Sequence, residues 1–219
     1  MGQYSRDEIE QAFRAYWQTG AVGEDWDAWA DLFSVDAEYV EHVLGNLKGR
    51  EAIRAWIKPI MAQYSEIYTV YEWHSVDADA GRVIVYMQNR RDHPSGNGCI
   101  DFPGVTILEY AGGGQWKREE DFWAVPTATT AAQTYETARK AFDPDHRQKM
   151  TRLDWGHGPA WTRGAGAALS LRRDRSGFIP EDHEARRART AAPLARQACQ
   201  IARSASASPG RAASALGRG

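Results

Sequence analysis

Acidic, basic and aromatic side chains recur at two-residue spacing in three segments of this 219-residue chain that have β-strand character. One segment carries Tyr39 and Glu41, a second carries Arg90 and Asp92, and a third carries Asp121. Residues two apart in a strand share a face, so each pair is expected to present both side chains to one side of a sheet. If those faces line one cavity, carboxylates flank a guanidinium, and one carboxyl can act as a base while the other acts as an acid. The pattern predicts proton-transfer chemistry.

The composition is that of a globular chain with a basic C-terminal part. Hydrophobic residues make up 42% of the sequence and aromatic residues 11%, with nine tryptophans, which is enough to bury a core. The net charge of −2 argues against nucleic acid as the main partner. Residues 163–219, however, contain eleven Arg, four acidic residues and no Lys, with few large apolar side chains. Such a stretch is predicted to be disordered, because it cannot bury enough surface to offset its ordering entropy.

Several classes of protein are disfavoured by what the sequence lacks. No apolar run approaches the roughly 18–20 residues that a membrane-spanning helix needs, and the first residues show no apolar signal core. Cys99 and Cys199 are too far apart to indicate a metal site or a disulfide framework. Glu41 and His42 cannot share one metal ion, because adjacent strand residues face opposite ways. We therefore expect a cytoplasmic protein that uses no metal and no cofactor and binds neither membrane nor nucleic acid.

The elements that would position these side chains begin with helices. Ser5 and Glu8 form a capping box that opens a helix extending to about Thr19. Asp25 is placed to cap a second, short helix, and a strand follows at about residues 37–43, with a turn through Gly45 and Asn46. A third helix is predicted after Gly49, where apolar residues recur at helical spacing.

From Ile67 the pattern changes to β alternation. Four strands in a meander are predicted, at about residues 67–76, 82–92, 99–110 and 115–125. This order predicts an α+β fold in which helices cover a cone-shaped, curved antiparallel sheet and enclose a small-molecule pocket. The expected divisions are a domain at 1–126, a helix and irregular extension at 127–162, and the Arg/Ala-rich tail at 163–219.

Three motifs give the chain a family resemblance. They are the order of the elements, the segment DAEYVEH before a Gly-Arg helix start, and a last strand that ends in EDFWAV. Together they resemble the nuclear transport factor 2-like superfamily and, within it, the SnoaL-like group, over residues 5–126. The superfamily includes polyketide cyclases, ketosteroid isomerases, limonene epoxide hydrolases and plain binding domains, so the resemblance implies a fold and leaves the function open. It also implies a homodimer.

Within the superfamily, the residues are most similar to those of limonene epoxide hydrolases. The matching positions are Tyr39-Val-Glu41 before a Gly-Arg helix start, Arg90-Arg-Asp92, and Glu120-Asp121-Phe-Trp. This resemblance implies that Asp121 activates a water molecule and that Arg90 bridges two carboxylates. It further implies that protonated Asp92 donates to the epoxide oxygen while Tyr39 helps to hold the water.

Glu41 departs from the hydrolase pattern, which has a neutral amide at this position. A carboxylate accepts a hydrogen bond from water but donates none unless it is protonated. The same position in ketosteroid isomerases holds the acid that shuttles a proton, so Glu41 favours isomerase-like or cyclase-like proton transfer as the alternative. A pocket that binds a ligand without turnover is the third possibility.

The substrate is expected to be a small apolar or polycyclic organic molecule. Trp123 shares a strand face with Asp121, and Tyr16 lies near the helix position that supplies a hydroxyl in ketosteroid isomerases. Trp17 is a further candidate for the pocket wall, although tryptophans on these helices are more typical of a core than of a cofactor site.

Overall fold

The computed structural model describes residues 2–149 and 151–164. Its four α-helices are α1 (Arg6–Trp17), α2 (Trp26–Asp31), α3 (Arg50–Gln63) and α4 (Val125–Phe142). A π-helical turn, Gln18–Val22, continues from α1, and 3-10 turns lie at His146–Lys149 and Ala160–Thr162. The Arg/Ala-rich tail is predicted to be disordered. Apart from residues 163 and 164, it lies outside the residues that the structure describes.

Two of the helices begin at the caps that the sequence indicates. The Ser5 hydroxyl accepts a hydrogen bond from the Glu8 amide at 3.1 Å at the start of α1. The Asp25 carboxylate accepts one from the Ala28 amide at 3.0 Å at the start of α2. Each cap satisfies an amide that has no partner within its helix, and so fixes where the helix begins.

Six strands form one curved sheet that does not close. They are β1 (Phe33–Glu41), β2 (Gly45–Lys48), β3 (Tyr68–Asp77), β4 (Arg82–Asp92), β5 (Cys99–Gly112) and β6 (Gln115–Trp123). The order across the sheet is β2-β1-β6-β5-β4-β3, and all neighbours are antiparallel except β1 and β6, which are parallel. The four-strand meander is present as predicted, but Gly45 and Asn46 belong to β2 instead of a turn.

The core lies between the helices and one face of the sheet. The apolar side of α1, carried by Ile9, Phe13 and Trp17, is buried against sheet residues that include Leu108 and Trp116. This one-sided packing of helices on a mostly antiparallel sheet is an α+β architecture, as the pattern predicts. It leaves the concave side of the sheet facing α1, α2 and α3.

Residues 151–164, here called the C-terminal strap, pack on the outer strands of the sheet. Trp155 is buried against Tyr68 and Val70 of β3. Near the end of the strap, the Thr162 carbonyl accepts a hydrogen bond from the Trp17 indole at 3.3 Å. The strap therefore joins the sheet edge to α1.

Candidate active site

A cavity of about 210 Å³ lies between the concave sheet face and the first three helices. Strands β1, β4, β5 and β6 supply its floor, and α1, α2 and α3 supply residues of its wall. Ten of its lining side chains are aromatic: Tyr16, Trp17, Trp26, Trp29, Tyr39, Trp56, Tyr64, Phe102, Phe122 and Trp123. An apolar cavity with few polar groups is the usual form of a small-molecule site.

Three carboxyl groups line this cavity, and the β1–β6 pairing brings them together. Glu41 of β1 lies opposite Asp121 of β6, and Tyr39 lies opposite Glu119 in the same parallel register. Glu119 and Asp121 are two residues apart on β6, so both point to the concave face. The sheet thus presents a row of acids in the order Glu41, Asp121, Glu119.

Asp121 is held by two hydroxyl groups. Its Oδ2 accepts a hydrogen bond from Tyr39 at 2.5 Å, and its Oδ1 accepts one from Thr106 at 2.5 Å. Burial raises the pKa of Asp121 from 3.8 to about 6, against the two hydrogen bonds that lower it, and the Glu41 charge adds to the rise. At neutral pH Asp121 is therefore mostly ionised, with a basicity suited to accepting a proton.

Glu119 is buried more deeply, with 2% of its surface exposed. Its Oε1 accepts a hydrogen bond from the Tyr16 hydroxyl at 2.7 Å, while its Oε2 has no hydrogen-bond partner in the protein. Burial raises the pKa of Glu119 well above its ordinary value, and the neighbouring Asp121 charge raises it further. Burial therefore favours the protonated form of Glu119, and the free Oε2 is the oxygen available to carry the proton.

Glu41 is fixed by three donors. Its Oε1 accepts from the Trp123 indole at 2.6 Å, and its Oε2 accepts from the amides of Val43 at 3.0 Å and of Leu44. Burial raises the Glu41 pKa, and these three hydrogen bonds oppose the rise by favouring the ionised form. Glu41 closes the β1–β2 turn as well as lining the cavity.

The cavity thus holds an acid and a base without a cation beside them. None of the described residues that line it is Lys, Arg or His. Like charges that lie close together in a cavity disfavour simultaneous ionisation, and the deeper burial of Glu119 makes it the carboxyl whose protonated form is most favoured. Such a difference is what general acid–base catalysis requires of two carboxyls.

The prediction that Arg90 lines the same cavity as Asp121 is wrong. On β4 the side chains that line the cavity are Val85, Met87 and Asn89, which is the alternate face from Arg90. Arg90 forms a two-point contact with Asp101, at 2.8 and 2.6 Å, and lies in a separate cleft beneath the strap. A shift of one residue in a strand moves every side chain to the other face, so Arg90 cannot bridge Asp121 to a second carboxylate.

Asp92 is also on the opposite face, where it anchors the C-terminal strap. Its Oδ1 accepts a hydrogen bond from the Tyr68 hydroxyl at 2.6 Å, and its Oδ2 accepts one from the Leu153 amide at 3.0 Å. Only 3% of the residue is exposed. The structure therefore corrects the placement of Asp92 as the acid beside Asp121, since its oxygens are occupied on the far side of the sheet.

The remaining site candidates all lie at the cavity. Tyr39, Glu41, Asp121, Tyr16, Trp17 and Trp123 line it together. Glu119 was not among the predicted site residues, although its two-residue spacing from Asp121 is the signal that places it on the same face. Glu119 also lies in a charged run, Arg118-Glu119-Glu120-Asp121, and such runs usually face solvent.

Among residues 2–149 and 151–164, no group of three His, Cys, Asp or Glu side chains is arranged to hold a metal ion. Within the same part of the chain, no helix combines the length and the apolar character needed to cross a membrane.

Sequence comparison defines the class of protein. The SnoaL-like domain family matches residues 9–119, so the chain belongs to the SnoaL-like family. No curated protein matches the chain in sequence.

Solved structures with low sequence identity are similar to part of this chain. A SnoaL-like polyketide cyclase, so described, from Jannaschia is 21% identical, with 59% of this chain and 96% of that chain covered and a TM-score of 0.46. An epoxide hydrolase of the limonene epoxide hydrolase-like type from M. tuberculosis is 13% identical. The match covers 62% of this chain and 96% of that chain, with a TM-score of 0.49. A hypothetical protein from Catenulispora acidiphila, solved with trimethylamine, is 19% identical. The match covers 59% of this chain and 95% of that chain, with a TM-score of 0.45. These similarities concern the fold alone.

Proposed function

We propose that this protein is a cofactor-independent enzyme that moves a proton at a carbon next to the carbonyl group of a small, largely apolar organic molecule. Asp121 is the base, and Glu119, with Tyr16 behind it, is the acid. The observation that carries the proposal is that these two buried carboxyls share one strand face at the cavity, where Asp121 accepts two hydroxyl hydrogen bonds and Glu119 has an oxygen without a partner.

The reaction follows from where the protons lie. A carbonyl compound in the cavity loses an α-proton to Asp121, whose carboxylate is oriented by Tyr39 and Thr106. Negative charge then develops on the carbonyl oxygen, and the protonated Glu119 donates a hydrogen bond to it. In a β,γ-unsaturated substrate, return of the proton from Asp121 to the far carbon of the dienolate completes an isomerisation. In a substrate with a second carbonyl, the enolate carbon attacks that carbonyl, whose oxygen takes the proton back from Asp121, and this completes a cyclisation. The surrounding aromatic side chains exclude water and strengthen both interactions.

Addition of water to an epoxide is a second candidate, and the contact between Tyr39 and Asp121 favours it. The resemblance to limonene epoxide hydrolases implies that these two residues hold the attacking water, and they meet at 2.5 Å. Glu119 would take the role first assigned to Asp92, protonating the epoxide oxygen. The lack of a guanidinium among the described lining residues makes this chemistry less well supported than proton transfer.

A direct test is exchange of α-protons for deuterium in a panel of enolisable ketones, followed by proton NMR in D2O. Asp121→Asn is expected to lower the exchange rate by at least about 10²-fold, because general base catalysis contributes that much or more. Glu119→Gln is expected to lower it by roughly 10-fold or more, since an amide is a weaker acid than a carboxyl. Glu120→Gln is the matched control, because Glu120 is on the same strand but pairs with Arg118 and His42.

The pH profile and the second substrate class separate the alternatives. Exchange should rise as pH increases through about 6, where Asp121 loses its proton. Diol formation from an epoxide panel that depends on Asp121 and Glu119, with no α-exchange, would favour the hydrolase instead. If wild type and Asp121→Asn show the same rates of α-proton exchange and of diol formation, both enzyme proposals are contradicted. A domain that binds a ligand without turnover would then be the remaining function.

A further inference from the structure

The carboxyl groups of the cavity have no cationic counterpart among the described residues that line it. Glu41, Asp121 and Glu119 line it, and no Lys, Arg or His is among its described lining residues. Glu119 Oε2 is buried and has no hydrogen-bond partner. Burying several carboxyls without a balancing cation is unfavourable, and a protein relieves this by binding protons or by binding a positively charged ligand.

The walls of the cavity are suited to a cation. The Tyr39 ring lies 5.1 Å from the Trp56 ring and 6.4 Å from the Trp29 ring, measured between centroids, and Trp26 is 5.7 Å from Trp29. Aromatic faces attract cations through the ring quadrupole, and tryptophan does so most strongly. Because the hydroxyl of Tyr39 bonds Asp121, these rings and the carboxylate lie next to each other.

Other ligand charges fit less well. An anion would be repelled by the carboxylates, and no described lining residue offers a positive charge to hold it. A neutral apolar ligand would bring no counter-charge to the carboxylates of Glu41 and Asp121. A cationic nitrogen with alkyl groups satisfies both features, since the alkyl groups contact the rings while the charge faces the carboxylates.

We infer that the substrate of this site carries a positively charged nitrogen, as a substituted or quaternary ammonium group, held between the tryptophan rings and the carboxylates of Glu41 and Asp121. The inference rests on the proposed function, since it names the substrate class of that same site. Glu41 balances the ligand charge, and Asp121 remains available as the base. A nearby cation also keeps Asp121 ionised.

The test compares two probes of the same shape, choline and 3,3-dimethylbutan-1-ol, which differ in having a quaternary nitrogen or a quaternary carbon. Binding of each to the full chain is measured by isothermal titration calorimetry. Choline is expected to bind at least about tenfold more tightly than the neutral alcohol, from cation–aromatic and carboxylate attraction together. Equal affinities, tighter binding of the alcohol, or no binding of choline at millimolar concentration would overturn the inference.

Substitutions locate the effect in the cavity. Glu41→Gln and Asp121→Asn should each weaken choline binding by about five- to tenfold and leave the affinity for the alcohol unchanged. Glu120→Gln, the control, should change the affinity for neither probe. Trp56→Leu should weaken the binding of choline more than the binding of the alcohol. The weakening of alcohol binding measures the effect of the lost contact area alone. Equal weakening of both probes in all three cavity variants would contradict a charge-specific site. Loss of α-exchange with neutral ketones in Asp121→Asn would still support proton transfer, so the two proposals can fail separately.

Discussion

Glu119 and Asp121 show how two carboxyls on one strand acquire different roles. Both point into the same cavity, but Asp121 receives two hydroxyl donors, whereas Glu119 receives one and has an oxygen without a partner. Hydrogen bonds to the ionised form lower a pKa, and burial raises it. Burial, together with the charge of the neighbouring Asp121, raises the pKa of Glu119 well above its ordinary value, which makes Glu119 the candidate acid and Asp121 the candidate base.

Asp121→Asn is expected to stabilise the protein at neutral pH while removing activity. The folded-state pKa of Asp121, about 6, lies above its ordinary value of 3.8, so the folded protein binds this proton more tightly than the unfolded chain does. Its favourable contribution is complete below pH 3.8 and is lost as pH rises through 6. Asparagine is neutral throughout, and its NH2 group can donate to the Tyr39 or Thr106 hydroxyl in place of the lost acceptor, so the free energy of unfolding should increase by about 1–3 kcal/mol near pH 7 or above.

Urea unfolding of wild type and Asp121→Asn at several pH values measures this effect. The difference in stability should shrink toward acid pH, where Asp121 is protonated in the folded state. Glu119→Gln serves as the comparison, because burial favours the neutral form of Glu119 and a neutral amide should therefore change stability little. An Asp121→Asn variant that is less stable than wild type at neutral pH would contradict the assignment of Asp121 as a strained, ionised base.

Among the helices and strands, the features that could be predicted are those that depend on neighbouring residues only. They are the helix caps and the strand faces on which polar and apolar residues alternate clearly. Ser5 and Asp25 cap helices because their side chains meet a free amide, whatever the rest of the chain does. Glu41 shares a cavity face with Tyr39, as the two-residue spacing in β1 requires. These features depend on a few neighbouring residues, and the sequence contains all of them.

The face of β4 that meets the cavity could not be predicted in the same way. Both faces of this strand carry polar groups near its end, Asn89 on one and Arg90 with Asp92 on the other, so alternation alone does not identify the inner face. Pairing with β3 includes a shift in register between Tyr71 and Trp73, which changes the alternation on that strand. The strap that covers Arg90 and Asp92 comes from residues about sixty positions later, a contact that no local pattern predicts.

Asp92→Asn tests the structural role of this outer face. Both Asp92 oxygens accept hydrogen bonds from buried or half-buried donors, and an amide retains only one acceptor. Leaving a donor unsatisfied should lower the free energy of unfolding by about 1–3 kcal/mol. The rate of α-proton exchange should stay within about twofold of wild type, because general acid–base groups at the cavity are unchanged.

Thermal unfolding and the exchange assay together check this prediction, with Asp121→Asn as the counterpart. The two substitutions are chemically identical but should have opposite effects on stability, and only Asp121→Asn should remove activity. An Asp92→Asn variant with wild-type stability and a large loss of exchange would restore the hydrolase-like role for Asp92.

For the whole molecule, the strap makes the functional unit longer than the family domain. The family match ends at residue 119, yet Trp155 and Thr162 are buried in the structure, with 3% and 0% of their surfaces exposed. Thr162 also meets the Trp17 indole, and Trp17 lines the cavity. The packing continues to Arg163, whose Nε donates to the Gly158 carbonyl at 2.8 Å. The folded unit therefore includes the residues up to Arg163.

Two truncated chains test where that unit ends. A chain that ends at Gly164 should melt within about 2 °C of the full chain, because the removed residues contain few large apolar side chains to bury. A chain that ends at Lys149 loses buried Trp155 and leaves Asp92 and Tyr68 without their strap partners. Lost burial and unsatisfied polar groups should lower its melting temperature by roughly 10 °C. Circular dichroism melts check both chains, and a Gly164 chain as unstable as the Lys149 chain would show that residues beyond 164 contribute to the fold.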